Sequence, residues 1–265
     1  MRIEIAGKTD VGRKRKQNED AYLVLKPPLQ PRLSVDALLL VADGMGGHER
    51  GEVASGHVRD VFEAVFIEQY PEFLAAYTPE SLEAALKTLY KESHSHLRSL
   101  SEELASSEDS REQMGTTLTV GLIAGDQLVL AHVGDSRAYL IRNEMIAQLT
   151  EDHTMAQLLI RAGKMTEEEA AKSRYSHALS QAIGASKRMS PDLAAYPLEP
   201  GDTLLLCTDG LTRYLEAADL MEAVQQHTPA AACEHLVELA NQRGGRDNIT
   251  VVIARVQADA TAAAD

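Results

Sequence analysis

Four times along this chain of 265 residues an apolar run meets an aspartate in a glycine or polar turn. Ala37 to Ala42 runs into Asp43-Gly44-Met45-Gly46-Gly47, and Gln127 to Val133 into Gly134-Asp135. Asp202 to Leu206 leads to Asp209-Gly210, and Asp247 opens the Val/Ile-rich run Asn248 to Val256. Glu19 and Asp20 stand just before a further run, Ala21 to Leu25. Continuous apolar runs of this length read as buried strands. Carboxylates at the edge of an apolar sheet repel one another and lose hydration unless something neutralises them.

The remaining pattern predicts a single α+β domain. Arg2 to Gly7 reads as a first strand, and Thr116 to Ile123, Gln127 to Val133 and Arg137 to Ile141 as a meander separated by Gly125-Asp126 and Gly134-Asp135. Ala54, Val58, Val61, Phe62, Val65 and Phe66 share one face at helical spacing. A second helix opens at Thr78-Pro79 and carries a leucine stripe from Leu82 to Leu104. Met155 to Ala162, Thr166 to Lys172 (opened by a Thr166/Glu169 capping box), Ala217 to Gln226 and Pro229 to Gln242 read as further helices. Prolines 27, 28 and 31 and the polar stretch Ser106 to Glu112 mark loops. Strands along the whole length, with helices in two clusters, favour one domain over two.

Charge excludes several functions. With 40 acidic and 26 basic residues the net charge is −14, the wrong sign for a general nucleic-acid or anionic-membrane binder. Two cysteines, Cys207 and Cys233, support neither a disulfide scaffold nor a thiolate zinc site. Met1 to Gly12 lacks the pattern of a signal peptide, and no apolar run nears the roughly 18 residues of a membrane span. A cytoplasmic protein is the expectation.

An Asp-Gly pair alone is commonly a turn; four in similar strand-end context point to a shared task. Hard divalent cations such as Mg²⁺ or Mn²⁺ take oxygen ligands and neutralise gathered carboxylates. Two such ions about 3.5–4 Å apart can activate a water and hold a phosphoryl oxygen. Gly44 to Gly47 lacks the Gly-Lys-Ser/Thr and the full glycine spacing of a nucleotide loop.

The ordered segments Thr9-Asp10-Val11-Gly12 through Arg15 to Asn18-Glu19-Asp20, Val41 to His48, Gly115-Thr116-Thr117, Val133 to Ala138, Leu149 to His153, Thr208 to Leu211 and Gly244 to Thr250 are together highly specific. With them the chain resembles the metal-dependent serine/threonine protein phosphatases of type 2C, in the bacterial branch. The resemblance implies two packed antiparallel β-sheets flanked by helices on both sides, a four-layer αββα sandwich, with the catalytic domain at residues 1–256 and a disordered tail at 257–265. It implies two Mn²⁺ or Mg²⁺ ions bridged by Asp43, with the Gly44 carbonyl on one of them. Asp209, Asp247 and Glu19 would serve the second, Asp20 would orient metal-bound water, and Asp135 with Asp209 would hold a third, weaker ion. Arg15 matches the phosphate-binding arginine, whose planar fork suits a bidentate grip. The implied reaction is direct attack of metal-bound water or hydroxide on phosphoserine or phosphothreonine in proteins. It belongs to bacterial signal transduction, opposes a cognate serine/threonine kinase, and is carried by a monomer.

Several features depart from that pattern or stand beside it. Met45 replaces a histidine that donates a proton in animal members, and His48 is a substitute acid or a support of the glycine loop. Residues 155–183 correspond to a variable flap, and within it Arg174 is a candidate phosphopeptide contact. His153 reads as structural, and His94 and His96, two apart on a helix, do not face each other. Arg13, Lys14 and Lys16 beside Arg15 either draw phosphate toward an acidic molecule or form a solvated loop. A catalytically silent phosphoprotein-binding domain and a phosphatase of small phosphoesters are the alternative readings.

Overall fold

The structure, a computed structural model, describes residues 1–26, 35–46, 50–69, 78–104 and 114–258. In chain order the elements are β1 (Arg2–Asp10), β2 (Asp20–Leu25), β3 (Ala37–Met45), α1 (Arg50–Ala64, continued by a π-helical turn Val65–Gln69), α2 (Pro79–Leu104), β4 (Gly115–Thr116), β5 (Leu118–Ala124), β6 (Gln127–Val133), β7 (Arg137–Arg142) and β8 (Met145–Gln148). They continue with α3 (Met155–Arg161), α4 (Glu167–Ala171), β9 (Asp192–Pro197), β10 (Thr203–Cys207), α5 (Asp209–Thr212), α6 (Ala217–Gln226), α7 (Pro229–Gln242) and β11 (Ile249–Gln257). The proline loop at 27–34, the polar stretch 105–113 and the tail 259–265 lie outside the described residues.

All strand pairs are antiparallel, in two sheets. One runs β1-β11-β10-β7-β8 and the other β2-β3-β5-β6-β9, with β4 on the end of β3. Side-chain alternation then builds three layers of core. From β3, Leu39 and Val41 meet Leu204, Leu206 and Val252 between the sheets. Leu38, Leu40 and Ala42 point the other way, to Val58 and Phe62 of α1 and Leu86 and Tyr90 of α2. On the second sheet Leu205, Val251 and Ile253 face outward to Leu220, Leu236 and Val237 of α6 and α7. The order is therefore helices, sheet, sheet, helices. Strands covered on both faces read as unbroken apolar runs rather than alternating ones, which is why β3, β10 and β11 stand out in the sequence.

The expected capping box on α4 is present, with Thr166 and Glu169 exchanging hydrogen bonds. Sequence reading missed β8, with three of its four residues largely exposed, and β9, which mixes exposed and half-buried positions. Among the described residues no helix is long and apolar enough to cross a membrane.

Tyr90 ties the outer helix layer to the sheet. Its ring is fully buried, and its hydroxyl lies 2.8 Å from the Ala131 carbonyl oxygen and 3.0 Å from that of Leu118. Tyr90→Phe keeps the ring and should cost about 1–2 kcal/mol, the scale of a lost buried hydrogen bond. Leu40→Ala should cost about 3 kcal/mol by cavity formation. Urea unfolding of both variants checks this; an unchanged midpoint for Tyr90→Phe would remove the anchoring role.

Candidate metal centre

Register brings the first two carboxylates together. Asp20 opens β2 directly opposite Asp43 near the end of β3. The main chain around them is closely fitted: the Gly44 amide donates to the Glu19 carbonyl at 3.0 Å, and a Cβ on Gly44 would sit 2.1 Å from the Gly51 carbonyl oxygen. A Cβ on Gly210 would likewise sit 1.8 Å from the Asn248 carbonyl oxygen. Gly44 lies in a strand and Gly210 in α5. Close backbone approach, not turn geometry, is what requires glycine after Asp43 and Asp209.

Threonines and asparagines hold the acidic residues. The Asp43 amide donates to Thr117 Oγ1 at 2.8 Å, and its carbonyl accepts from the Thr117 amide at 2.9 Å and Thr116 Oγ1 at 3.0 Å. Thr117 Oγ1 is also 2.7 Å from the hydroxyl of Ser136, the neighbour of Asp135. Asn248 accepts the Glu19 amide at 2.9 Å and donates to the carbonyls of Val11 and Gln17 at 3.0 and 2.9 Å, fixing the first loop beside Asp247.

Asp20 is buried behind this surface. Its Oδ2 accepts from Thr208 Oγ1 at 2.8 Å and Thr250 Oγ1 at 2.6 Å, while its buried Oδ1 has no protein partner. Thr250 spends its single hydroxyl proton on Asp20, so Thr9 donates to Thr250 (2.7 Å) and Asn18 donates to Thr9 (2.8 Å).

Arg15, Glu19, Asp43, Gly44, Asp135, Asp209 and Asp247 all line one cleft of about 400 Å³. The candidates named from the sequence thus converge at one end of the sandwich, with Asp20 beneath. Two cationic side chains enter the cluster. Arg15, about half exposed, places Nη1 3.2 Å from Glu19 Oε2 and Nη2 2.8 Å from Asp247 Oδ1. Arg213, which sequence reading passed over, lies one helical turn beyond Asp209. Its Nε donates to Asp209 Oδ2 at 3.0 Å, its Nη2 to the same oxygen, and its Nη1 to Asp247 Oδ2 at 3.2 Å.

The flap contributes His177, Ala178 and Leu179 to the cleft wall. His177 Nδ1 is 3.9 Å from Asp209 Oδ2, and Asp135, His177 and Asp209 each offer a ligand atom within 4.8 Å of the others. Arg174 does not line this cleft; it stacks over the Tyr175 ring at 4.9 Å and donates to its hydroxyl. His153 is structural: it accepts from the Gly134 amide at 3.2 Å and bonds Asp192 at 3.1 Å. His94 accepts from the Gly184 amide while His96 stacks on His57, so the two serve different neighbours. His48 lies outside the described residues.

Proton affinities follow from the crowding. Burial, with Asp209 and Asp247 adding like charge and the two threonines opposing, pushes Asp20 up to about 7. Burial and Asp209 push Asp135 up to about 8, and burial with the neighbouring aspartates holds Asp43 well above the usual carboxylate range. Asp209 is raised by burial against the pull of Arg213, and Glu19 by burial against that of Arg15. The fully buried Cys207 thiol is pushed up to about 12, which removes it as a nucleophile.

The donor set fits hard divalent cations. It consists of carboxylate oxygens with the Gly44 main chain on the same wall, and the unpartnered Asp20 Oδ1 marks a buried acceptor needing a donor. When all are ionised, six carboxylates against two guanidiniums leave four uncompensated charges, the charge of two such ions.

Below about pH 6.5 the lowered His132 opposes the raised aspartates, but between about pH 6.5 and pH 8 Asp20 and Asp135 make the native state bind more protons than the unfolded chain. Stability in EDTA should therefore fall as pH rises through that window. The gain in Tm on adding Mn²⁺ should grow over the same window, since cations bind the deprotonated carboxylates. Thermal melts at pH 6.5, 7.2 and 8 with EDTA or Mn²⁺ check this, and a Tm in EDTA that rises with pH over this range would contradict it.

Comparison with known proteins agrees with the geometry. A model of the family described as protein phosphatase 2C matches residues 6–249. The chain is 36% identical to the serine/threonine phosphatase stp of Listeria innocua over 248 residues, 93% of each protein. It is 34% identical to the protein phosphatase PhpP of Streptococcus pneumoniae over 259 residues, 95% of this chain and 96% of that one. Among solved structures, the S. agalactiae serine/threonine phosphatase superposes with a TM-score of 0.85 at 34% identity, covering 96% of this chain and all of that one. The catalytic domain of PstP, solved with two manganese ions, gives a TM-score of 0.77 at 34% identity, over 97% and 99% of the two chains. With residues 6–249 matched by the family model and nearly the whole length in common with these relatives, the chain belongs to the protein phosphatase 2C family.

Proposed function

We propose that the cleft is a two-metal hydrolytic centre that removes phosphate from phosphoserine and phosphothreonine in proteins. The observation that carries the reading is the convergence of Glu19, Asp43, Asp135, Asp209 and Asp247 around one cleft with a forked cation, Arg15, at its edge. Family membership supports the metal-dependent phosphatase activity. Asp43, the Gly44 carbonyl, Glu19, Asp209 and Asp247 would hold two Mn²⁺ or Mg²⁺ ions, and Asp135 with Asp209 a third. When bound, the ions polarise the phosphoryl group and make water nucleophilic at neutral pH.

The protein's own groups do the rest. Arg15 turns its guanidinium from Glu19 and Asp247 to the non-bridging oxygens of the phosphoryl group, where charge builds in the transition state. Asp20 Oδ1 accepts a hydrogen bond from the attacking water. Thr208 and Thr250 fix its carboxyl plane by holding Oδ2. Met45 and Leu179 supply apolar wall beside the acids. Residues 1–256 form the catalytic domain in this reading. The physiological substrates are proteins phosphorylated by a cognate serine/threonine kinase, and the enzyme is a cytoplasmic monomer.

The test is phosphate release from a phosphothreonine peptide and from sugar phosphates. Release should require Mn²⁺ or Mg²⁺, stop in EDTA, and fall more than about 100-fold in Asp209→Ala, the scale of losing transition-state charge stabilisation. Arg15→Lys should lose about 10- to 100-fold in kcat/KM, as expected for charged hydrogen bonds whose bidentate geometry lysine lacks. No release from a folded, Mn²⁺-loaded protein would favour the silent phosphoprotein-binding alternative. Faster turnover of sugar phosphates would favour a small-molecule phosphatase.

A further inference from the structure

Arg213 is the cationic side chain most deeply committed to the candidate metal ligands. Its three donor nitrogens contact Asp209 Oδ2 and Asp247 Oδ2, while Arg15 takes the other oxygen of Asp247. The contact is built in by α5, whose single turn carries Asp209 and sets Arg213, its C-terminal cap, over that carboxylate. The side chain is about two-thirds buried, so the interaction is screened less than an open surface pair. Arg213 also lines an adjoining cleft of about 200 Å³ together with Asp135 and Asp152. Asp152 there is held by Arg137, whose Nε and Nη2 donate to its two oxygens at 2.9 and 2.7 Å.

We infer that Arg213 is an internal competitor for the divalent cations, drawing on the same oxygens of Asp209 and Asp247 and so setting the metal affinity of the site below what its carboxylates alone would give. The inference rests on the reading that Asp209 and Asp247 hold metal. Asp209 Oδ2 already accepts two guanidinium nitrogens, one for each of its lone pairs, so a cation that binds through this oxygen displaces at least one of them. The arrangement has two consequences. The acidic cluster keeps a counter-charge at low metal concentration, and occupancy responds to cation concentration in a higher range.

The experiment is Mn²⁺ titration of the EDTA-stripped, desalted protein, followed by the electron paramagnetic resonance signal of free Mn²⁺. It compares the wild type with Arg213→Ala, Arg213→Gln, Arg213→Lys and Asp209→Ala, alongside thermal melts in EDTA. Arg213→Ala and Arg213→Gln should bind Mn²⁺ at least about tenfold more tightly, the effect of removing one nearby like charge from a cation site. Arg213→Lys, which keeps the charge without the fork, should lie between. In EDTA the two neutral variants should melt below the wild type, and in saturating Mn²⁺ the gap should close or reverse. Unchanged or weaker Mn²⁺ binding in the folded neutral variants, with binding lost in Asp209→Ala, overturns the competitor role and leaves the ligand set standing. Wild-type Mn²⁺ affinity in Asp209→Ala overturns the ligand assignment itself. If Arg213→Ala fails to fold in EDTA, Arg213→Gln, which retains hydrogen-bond donors, carries the comparison.

Discussion

Six carboxyl groups brought to one end of a β-sandwich are the constraint around which the rest of this molecule is organised. Left alone they would drive those strand ends apart, because burial strips their hydration and each raises the proton affinity of the next. Glu19, Asp20, Asp43, Asp135 and Asp209 are all displaced upward from the ordinary range. The fold opposes this in three ways. Guanidiniums from Arg15 and Arg213 supply charge, hydroxyls of Thr208 and Thr250 supply buried donors, and the cleft opens to cations. The two guanidiniums offset two of the six charges, and two divalent cations match the four that remain, so metal dependence follows from the architecture as much as from the chemistry.

What holds the acids in place lies in the apolar layers. β3, β10 and β11 are buried on both faces, so a slip of one residue would exchange the inter-sheet core for the helix-facing one. The same register that seats Leu39 and Val41 between the sheets seats Asp43 opposite Asp20. Glycine at 44 and 210 then allows main chains to approach where any Cβ would collide with a carbonyl. A core substitution that shifts β3 therefore reaches the chemistry through backbone geometry.

This explains how much could be read from the sequence. Two-faced burial turns strands into unbroken apolar runs, and a carboxylate at the end of such a run is conspicuous, so β3, β10, β11 and the aspartates were legible. The exposed β8 and the half-exposed β9 carry no such pattern. The Asp-Gly pairs signalled a special backbone, but the reason is proximity rather than a turn, which only the packing shows. Arg213 was missed because four residues of separation matter only once α5 is known to be a helix; the signal was the i,i+4 spacing from Asp209. His177 stood out only as part of the flap, and its approach to Asp209 depends on a tertiary fold-back that local pattern does not encode.

That fold-back has a defined origin. Ile183 and Thr116 exchange main-chain hydrogen bonds at 2.9 and 3.0 Å, and the Met155 amide donates to the Ala178 carbonyl at 2.7 Å. Thr116 also donates its hydroxyl to the Asp43 carbonyl. One short segment, Gly115 to Thr117, thus grips the aspartate proposed to bridge the metals and anchors the strand that returns from the flap. A shift of the chain at Ile183 therefore pulls on the backbone that seats Asp43. The return from the flap and the seat of Asp43 thus share one main-chain connection through Thr116, and substitutions in the flap disturb that seat least where they avoid the residues bonded to Thr116.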